Sequence, residues 1–306
     1  MKSVTVKSPA TVSNLCCGFD ILGMAVCEPF DIMQLSLTDQ PGIMIDHTDK
    51  YRLPVNADEN IAGVALKAFL SAIDYKEGCQ LVINKQIKPG SGVGSSAASA
   101  AGIVVAANEL LGKPFSKKQL VSFAMEGEVI ASGSRHADNI APCIYGGLVL
   151  IRDTASLDII QLDAPELFVT IVHPQIEIKT SYARSILPKE IPLKSAVIQW
   201  ANVAGLVTGF LQKDYGLIGR SLEDVIIEPV RSKLIPGFDE VKQKCLAAGA
   251  LGGGISGSGP SLFMLSTSAM VATEIENCMK AVYEKLGIEH KTYITGINNE
   301  GIKIIS

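Results

Sequence analysis

Apolar and polar residues alternate over 3–8. FDIMQLSL at 30–37 runs apolar over a strand's length, and 42–47 continues in that manner. The period then changes. Within 59–74, Ile61, Ala65, Ala68, Phe69, Ala72 and Ile73 share one face at helical spacing, with Asp58 placed to cap the helix. CQLVINKQI at 79–87 returns to a strand. An Ala-rich helix follows and stops near Gly112 and Pro114, and Ser116 opens another over 117–131. GGLVLIR at 146–152 is again a strand.

The second half begins with two strands, DIIQL at 158–162 and LFVTIVH at 167–173. A helix is predicted over 193–213, a shorter one ending before Pro229, and a third over 237–249 stopped by Gly249. Residues 251–266 read as loop plus strand, 269–287 as helix and 291–297 as strand. Strands and helices come in mixed runs rather than strict alternation, which argues an α+β fold in layers over a doubly wound parallel sheet. The chain is 306 residues long, comfortable for two domains. The mix of elements places the break near 150–165, giving domains 1–157 and 158–306.

One loop stands out against this pattern. KPGSGVGSSAASAA at 88–101 leads from a predicted strand into the Ala-rich helix. Free backbone N–H groups and the positive end of a helix dipole both favour a phosphate, and glycines let the backbone approach it closely. The P-loop reads GxxxxGK followed by Ser or Thr, but here Gly94 is followed by Ser95, not lysine. Ser95 and Ser96 supply hydroxyls for phosphate oxygens or a magnesium ion. Read alone, the stretch would also suit a plain turn with a Ser cap. A second loop contains a literal GxGxxG at Gly252, Gly254 and Gly257. A helix precedes it and a strand follows, the reverse of the strand–loop–helix order of a dinucleotide site, so a tight structural backbone is expected.

Composition narrows the classes. Hydrophobic residues make up 47% of the chain, the net charge is −4 and the pI about 5.7. No clustered basic footprint for nucleic acid is present, and no run approaches a membrane span. The N-terminus lacks a signal-peptide h-region, and seven cysteines without a CxxC read as reduced thiols, so a soluble cytoplasmic protein is expected. Arginines number only six: Arg52, Arg135, Arg152, Arg184, Arg220 and Arg231.

Three segments in order, PATVSNLCCGFDILGMAV (9–26), PGSGVGSSAA (89–98) and GGISGSGPSLF (253–263), resemble the motifs of the GHMP kinases, a family of small-molecule kinases. The resemblance implies a two-domain α+β fold, with an N-terminal nucleotide-binding domain and a C-terminal ferredoxin-like domain. It also implies that Lys88, Pro89, Gly90, Ser91, Gly92, Val93, Gly94, Ser95, Ser96, Ala97 and Ala98 hold ATP, with Asn60 at the adenine. Ser96 and Glu128 would hold Mg2+, though Glu128 could equally belong to an ordinary charged helix face with Glu126 and Lys117.

Within the family the first motif is similar to that of the homoserine-phosphorylating branch through Asn14, Gly18, Phe19, Asp20, Leu22 and Gly23. Cys16 and Cys17 stand where that branch usually has Gly and Pro. Segments 135–147, 179–188 and 228–238 resemble the same branch. The implied substrate, L-homoserine, is a zwitterion with one hydroxyl. Arginine suits its carboxylate better than lysine, which points to Arg184 and Arg231, and Asp20 would take its ammonium. Asn14, His136 and Asn139 would orient the rest. Many sugar- and mevalonate-type members carry a basic aspartate seven residues before the GG at 146–147; that place is Asn139 here, with Asp138 one residue earlier. An amide takes no proton at neutral pH, so catalysis by positioning and charge neutralisation is expected, with Asn139, Glu128, Arg184 and Thr180 involved. Another small alcohol as substrate, or a non-catalytic nucleotide-binding module, are the alternatives. A homodimer is implied by the resemblance alone.

Overall fold

The computed structural model describes residues 2–133 and 135–306. The chain opens with β1 (Ser3–Ser13), β2 (Leu22–Thr38), β3 (Gly42–His47), α1 (Ile61–Ala72) and β4 (Gly78–Asn84). Then come α2 (Ser95–Leu110), α3 (Lys117–Ser132), α4 (Ile140–Tyr145), β5 (Leu148–Asp153) and β6 (Asp158–Leu162). The second half contains β7 (Phe168–Pro174), α5 (Thr180–Ser185), α6 (Leu193–Gln212), α7 (Tyr215–Ser221), α8 (Glu228–Arg231) and α9 (Phe238–Ala247). It closes with β8 (Gly252–Ile255), β9 (Leu262–Ser266), α10 (Ala269–Lys285), β10 (His290–Gly296) and β11 (Lys303–Ile304).

The first sheet runs β11-β1-β2-β4-β3, with β5 on β2 and β6 on β5. Only the β3–β4 pairing is parallel. β2 is long, at 17 residues, so it pairs with β5 through Leu22–Met24 and with β4 through Ile32–Thr38. The second sheet runs β10-β7-β9-β8, all antiparallel, with α9 and α10 packed on it. That βαββαβ order is the ferredoxin-like arrangement expected for the C-terminal half.

Three apolar clusters hold the layers. One fills the space between the first sheet and α1–α4, where Phe69 meets Phe115 and Phe123 edge to face. A second lies under α9 and α10 around Phe238, Met279 and Tyr283. The third joins the halves: Val12, Leu22 and Met24 of the first sheet pack with Val169, Ile171, Phe263 and Leu265 of the second and with Leu206 and Phe210 of α6.

Several expectations change. A division after residue 157 would cut the β5–β6 hairpin, because β6 stays in the first sheet and the change of sheet falls between Leu162 and Phe168. The last strand then returns to the first sheet beside β1. Helix α1 is capped by Asn60, not Asp58: its side-chain oxygen accepts from the Ala62 and Gly63 N–H groups. GGGI, expected as loop, is the strand β8, paired with β9. Pro229 sits in the first turn of α8, where its missing N–H costs nothing, and the preceding helix already ends at Ser221.

Candidate active site

A cavity of about 350 Å³ opens between the two halves, within the size range of small-molecule sites. One wall is the glycine-serine loop, and the far end holds Phe19, Asp20, His136, Arg184 and Arg231.

The loop has the form that its glycines require. Gly90, Gly92 and Gly94 lie at φ of +72°, +82° and +70°, a region costly for any residue with a Cβ. Gly94 is the N-cap of α2, and a Cβ there would come within 2.0 Å of Thr11 Oγ1. The second glycine loop braces the first from behind. Ser256 Oγ donates to Gly92 O at 2.7 Å and Ser261 Oγ to Ser91 O at 2.6 Å. With these carbonyls held behind the loop, its N–H groups remain for a ligand in the cavity. A buried ion pair pins the loop's start: Lys85 Nζ bonds to Asp31 and to Ser95 O and Ser99 Oγ of α2.

Not every loop residue faces the cavity. Pro89–Gly92 and Gly94–Ser96 line it. Val93, Ala97 and Ala98 are core side chains, and Lys88 is turned away, donating to Gln175 Oε1 at 2.7 Å. Ser96 Oγ donates to Glu128 Oε1 at 3.0 Å, so those two meet at the loop as expected. Burial pushes the Glu128 carboxyl up to about 7, opposed by the Ser96 hydrogen bond. A buried carboxylate beside a hydroxyl, both oxygen donors at a phosphate loop, fits a magnesium ion. Among the described residues no cluster of three His, Cys, Asp or Glu could hold a metal unaided, which suits an ion that takes most of its ligands from phosphate and water. Asn60 lines the cavity near Leu53, Pro54, Ile61 and Ile83, but its amide is committed to the α1 cap and to Pro54 O.

At the far end, Arg184 and Asp20 form a two-pronged pair, Nη1 to Oδ2 at 3.0 Å and Nη2 to Oδ1 at 2.7 Å. Arg231 is buried, its Nε and Nη1 donating to Ala183 O and Gly257 O. Burial, then the neighbouring Arg184, lowers its pKa. Both guanidinium groups lie over the Phe19 ring, 5.2 and 5.1 Å from its centroid. His136 Nδ1 is 4.0 Å from Asp20 Oδ1, and burial lowers its pKa against the pull of Asp20. Asn14 shapes the turn that carries Asp20. Its Nδ2 donates to Gly257 O and its Oδ1 accepts from the Asp20 N–H, with Asn14, Leu15 and Cys16 all at positive φ. Thr180 opens α5, its hydroxyl 3.2 Å from that of Ser258.

Between the two ends lies Asn139. It accepts from Thr11 Oγ1 at 2.8 Å and donates to Ser13 Oγ at 3.0 Å, and Ser13 hydrogen-bonds in turn to the Asp138 carboxylate. Thr11, Ser13, Asp138 and Phe19 had no role assigned from the sequence. Thr11, Ser13 and Phe19 sit inside the first motif, so the motif was visible but their part in it was not.

Comparison with known proteins decides the family. The N-terminal domain of GHMP kinases matches residues 60–147 and the C-terminal domain residues 206–285. A homoserine kinase of Chlorobaculum tepidum is 45% identical over 321 residues, covering 100% of this chain and 99% of that protein. The chain belongs to the GHMP kinase family. The crystal structure of homoserine kinase from Cytophaga hutchinsonii matches this GHMP kinase with a TM-score of 0.95 at 48% identity, covering 100% of this chain and 98% of that one. L. major mevalonate kinase in complex with R-mevalonate shares the fold, with a TM-score of 0.74 at 17% identity over 95% of this chain and 94% of that one. The chain is a kinase that phosphorylates an alcohol group.

Proposed function

We propose that this kinase transfers the γ-phosphoryl group of ATP to the hydroxyl of L-homoserine, giving ADP and O-phospho-L-homoserine for threonine biosynthesis in the cytoplasm. The observation that carries the reading is the far end of the cavity. One carboxylate and two guanidinium groups converge there on Phe19, which suits an amino acid with its ammonium on Asp20 and its carboxylate on Arg184 and Arg231. In the empty site Arg184 and Asp20 neutralise each other, so a zwitterion exchanges one internal ion pair for two with the ligand. Full-length relatives that carry the name homoserine kinase support the same substrate.

The glycine-serine loop and the N-terminus of α2 would receive the phosphates of ATP, and the apolar patch of Leu53, Pro54, Ile61 and Ile83 suits the flat face of an adenine. Ser96 and Glu128 would hold Mg2+, which supplies charge neutralisation on the phosphates. No helix among the described residues is long and apolar enough to cross a membrane. A homodimer belongs to the reading as well. The test is an ADP-release assay over homoserine, mevalonate, galactose and shikimate. Homoserine should be the preferred acceptor; a preference for any other overturns the substrate assignment.

A further inference from the structure

The sequence has an asparagine at the family's basic aspartate, so it leaves the acceptor proton without a destination. The structure supplies a hydrogen-bonded chain at that point. Gly94, the N-cap of the phosphate helix, abuts one end of it: a Cβ there would meet Thr11 Oγ1 at 2.0 Å and Asn139 Oδ1 at 3.1 Å. From Thr11 the chain passes through Asn139 to Ser13 Oγ and on to the Asp138 carboxylate. Ser13, Asp138 and Asn139 all line the cavity. The chain thus spans from the phosphate loop toward the Asp20–Arg184 pair, the interval in which an alcohol anchored at one end would meet a phosphate held at the other.

We infer that the acceptor proton leaves through Ser13 Oγ to Asp138. This rests on the reading of the cavity as a site for ATP and a small alcohol. A serine hydroxyl has one donor and two acceptor lone pairs. In Ser13 the donor serves Asp138 and one lone pair receives the Asn139 amide, which leaves the second lone pair for the substrate hydroxyl. In the step, the substrate O–H bond breaks and its proton goes to Ser13 Oγ while the Ser13 proton moves to an Asp138 oxygen. The substrate oxygen bonds to the γ-phosphorus, and the bond from that phosphorus to the β–γ bridging oxygen breaks to leave ADP. Asp138 ends protonated and returns its proton to water when the products leave. Ser13 is then a catalytic residue, and Asp138 acts through it.

The neighbouring charges are compatible with that role. Burial, then the Asp20 carboxylate, push the Asp138 carboxyl up to about 6, against the Ser13 hydrogen bond and Arg184. Arg231 of α8, Glu128 of α3 and His136 complete the charged groups around the cavity. A carboxylate of that kind is ionised near neutrality yet basic enough to take a proton. Because the transition state of phosphoryl transfer is loose, the benefit should fall near the low end for general-base catalysis.

The experiment measures steady-state kinetics of Asp138→Asn, Ser13→Ala and Ser13→Thr with ATP and the acceptor that the wild type prefers. Asp138→Asn and Ser13→Ala should each lower kcat at least about tenfold, and toward a hundredfold. KM for the acceptor should stay within about threefold of wild type. Ser13→Thr, which keeps the hydroxyl, should restore most of the rate. The loss of rate below about pH 6 seen in the wild type should be absent from Asp138→Asn. A raised KM with unchanged kcat in Asp138→Asn would make Asp138 a second holder of the ammonium and overturn the relay. So would wild-type kcat in Ser13→Ala, a comparison that stands alone if Asp138→Asn does not fold. A wrong substrate assignment shows separately, in the wild type's choice of acceptor before any variant is made.

Discussion

At the scale of single residues, the arginines decide the substrate. Arg231 is buried, held by two backbone carbonyls and stacked on Phe19, so it meets a ligand already oriented. Truncating one partner of a buried charge pair costs roughly 2–5 kcal/mol. Arg231→Leu should therefore raise KM for homoserine at least about tenfold while ATP affinity holds. The corresponding amino alcohol, lacking the carboxylate, should be a poor substrate of the wild type and little affected by the mutation. If the wild type phosphorylates it as well as homoserine, no carboxylate anchor exists. Asp20, Arg184, Arg231, Ser96 and Glu128 were legible because each is a charged or hydroxyl group in a recognisable motif. Ser13 and Asp138 were not. Neither residue type implies a proton path until the fold sets Ser13 between Asn139 and Asp138, and spacing from Gly146 pointed one residue past Asp138.

At the scale of elements, long periodic segments were readable and short ones were not. The apolar face of α1 and the Ala-rich α2 announce themselves over several turns. The six-residue helices α4 and α5 have too few turns for a periodicity to show, yet they carry Asn139 and Arg184 to the site. The glycines of β8 hide a strand because no side chains are there to alternate. One connection between elements predicts a pH effect. Lys88, at the start of the phosphate loop, donates to Gln175, whose amide in turn donates to Nδ1 of His173 on β7 at 3.1 Å. Burial, then Lys88 and Lys291, lower the His173 pKa to about 4. The unfolded chain, with His at about 6.5, takes up a proton that the native state refuses. Stability from this group is complete above the unfolded value and is lost as the pH falls from about 6.5 toward 4. Between pH 7.5 and 5 the loss should be about 2 kcal/mol by urea unfolding, and His173→Asn should remove that share of the slope. An identical slope in the variant would show that His173 protonates freely in the native state.

At the scale of the whole molecule, the two halves are separate sheets but not separate cores. Mobile two-domain proteins meet through modest, rather polar interfaces, whereas a large apolar interface resists relative motion. Here Val12, Leu22 and Met24 from one sheet and Val169, Phe263 and Leu265 from the other share a cluster with Leu206 and Phe210 of α6. The chain itself crosses back, since β11 pairs with β1 and Val26 bridges to Ile297. No linker marks a boundary in the sequence for the same reason: both halves contribute apolar residues to one interior, and composition does not change at the junction. The active site lies along this junction, with the phosphate loop in one half and its brace, Ser256 and Ser261, in the other. The halves should therefore unfold as one unit. Phe210 is 1% exposed at the centre of the shared cluster, and replacing a buried phenylalanine with alanine costs about 3–5 kcal/mol. Phe210→Ala should lower the denaturation midpoint by that amount as a single shifted transition, with ATP affinity and the secondary-structure signal lost together. Two separated transitions, with the nucleotide-binding half outlasting the ferredoxin-like half, would mean that the cluster is two interiors in contact and that the site's rigidity comes from the hydrogen bonds between its loops.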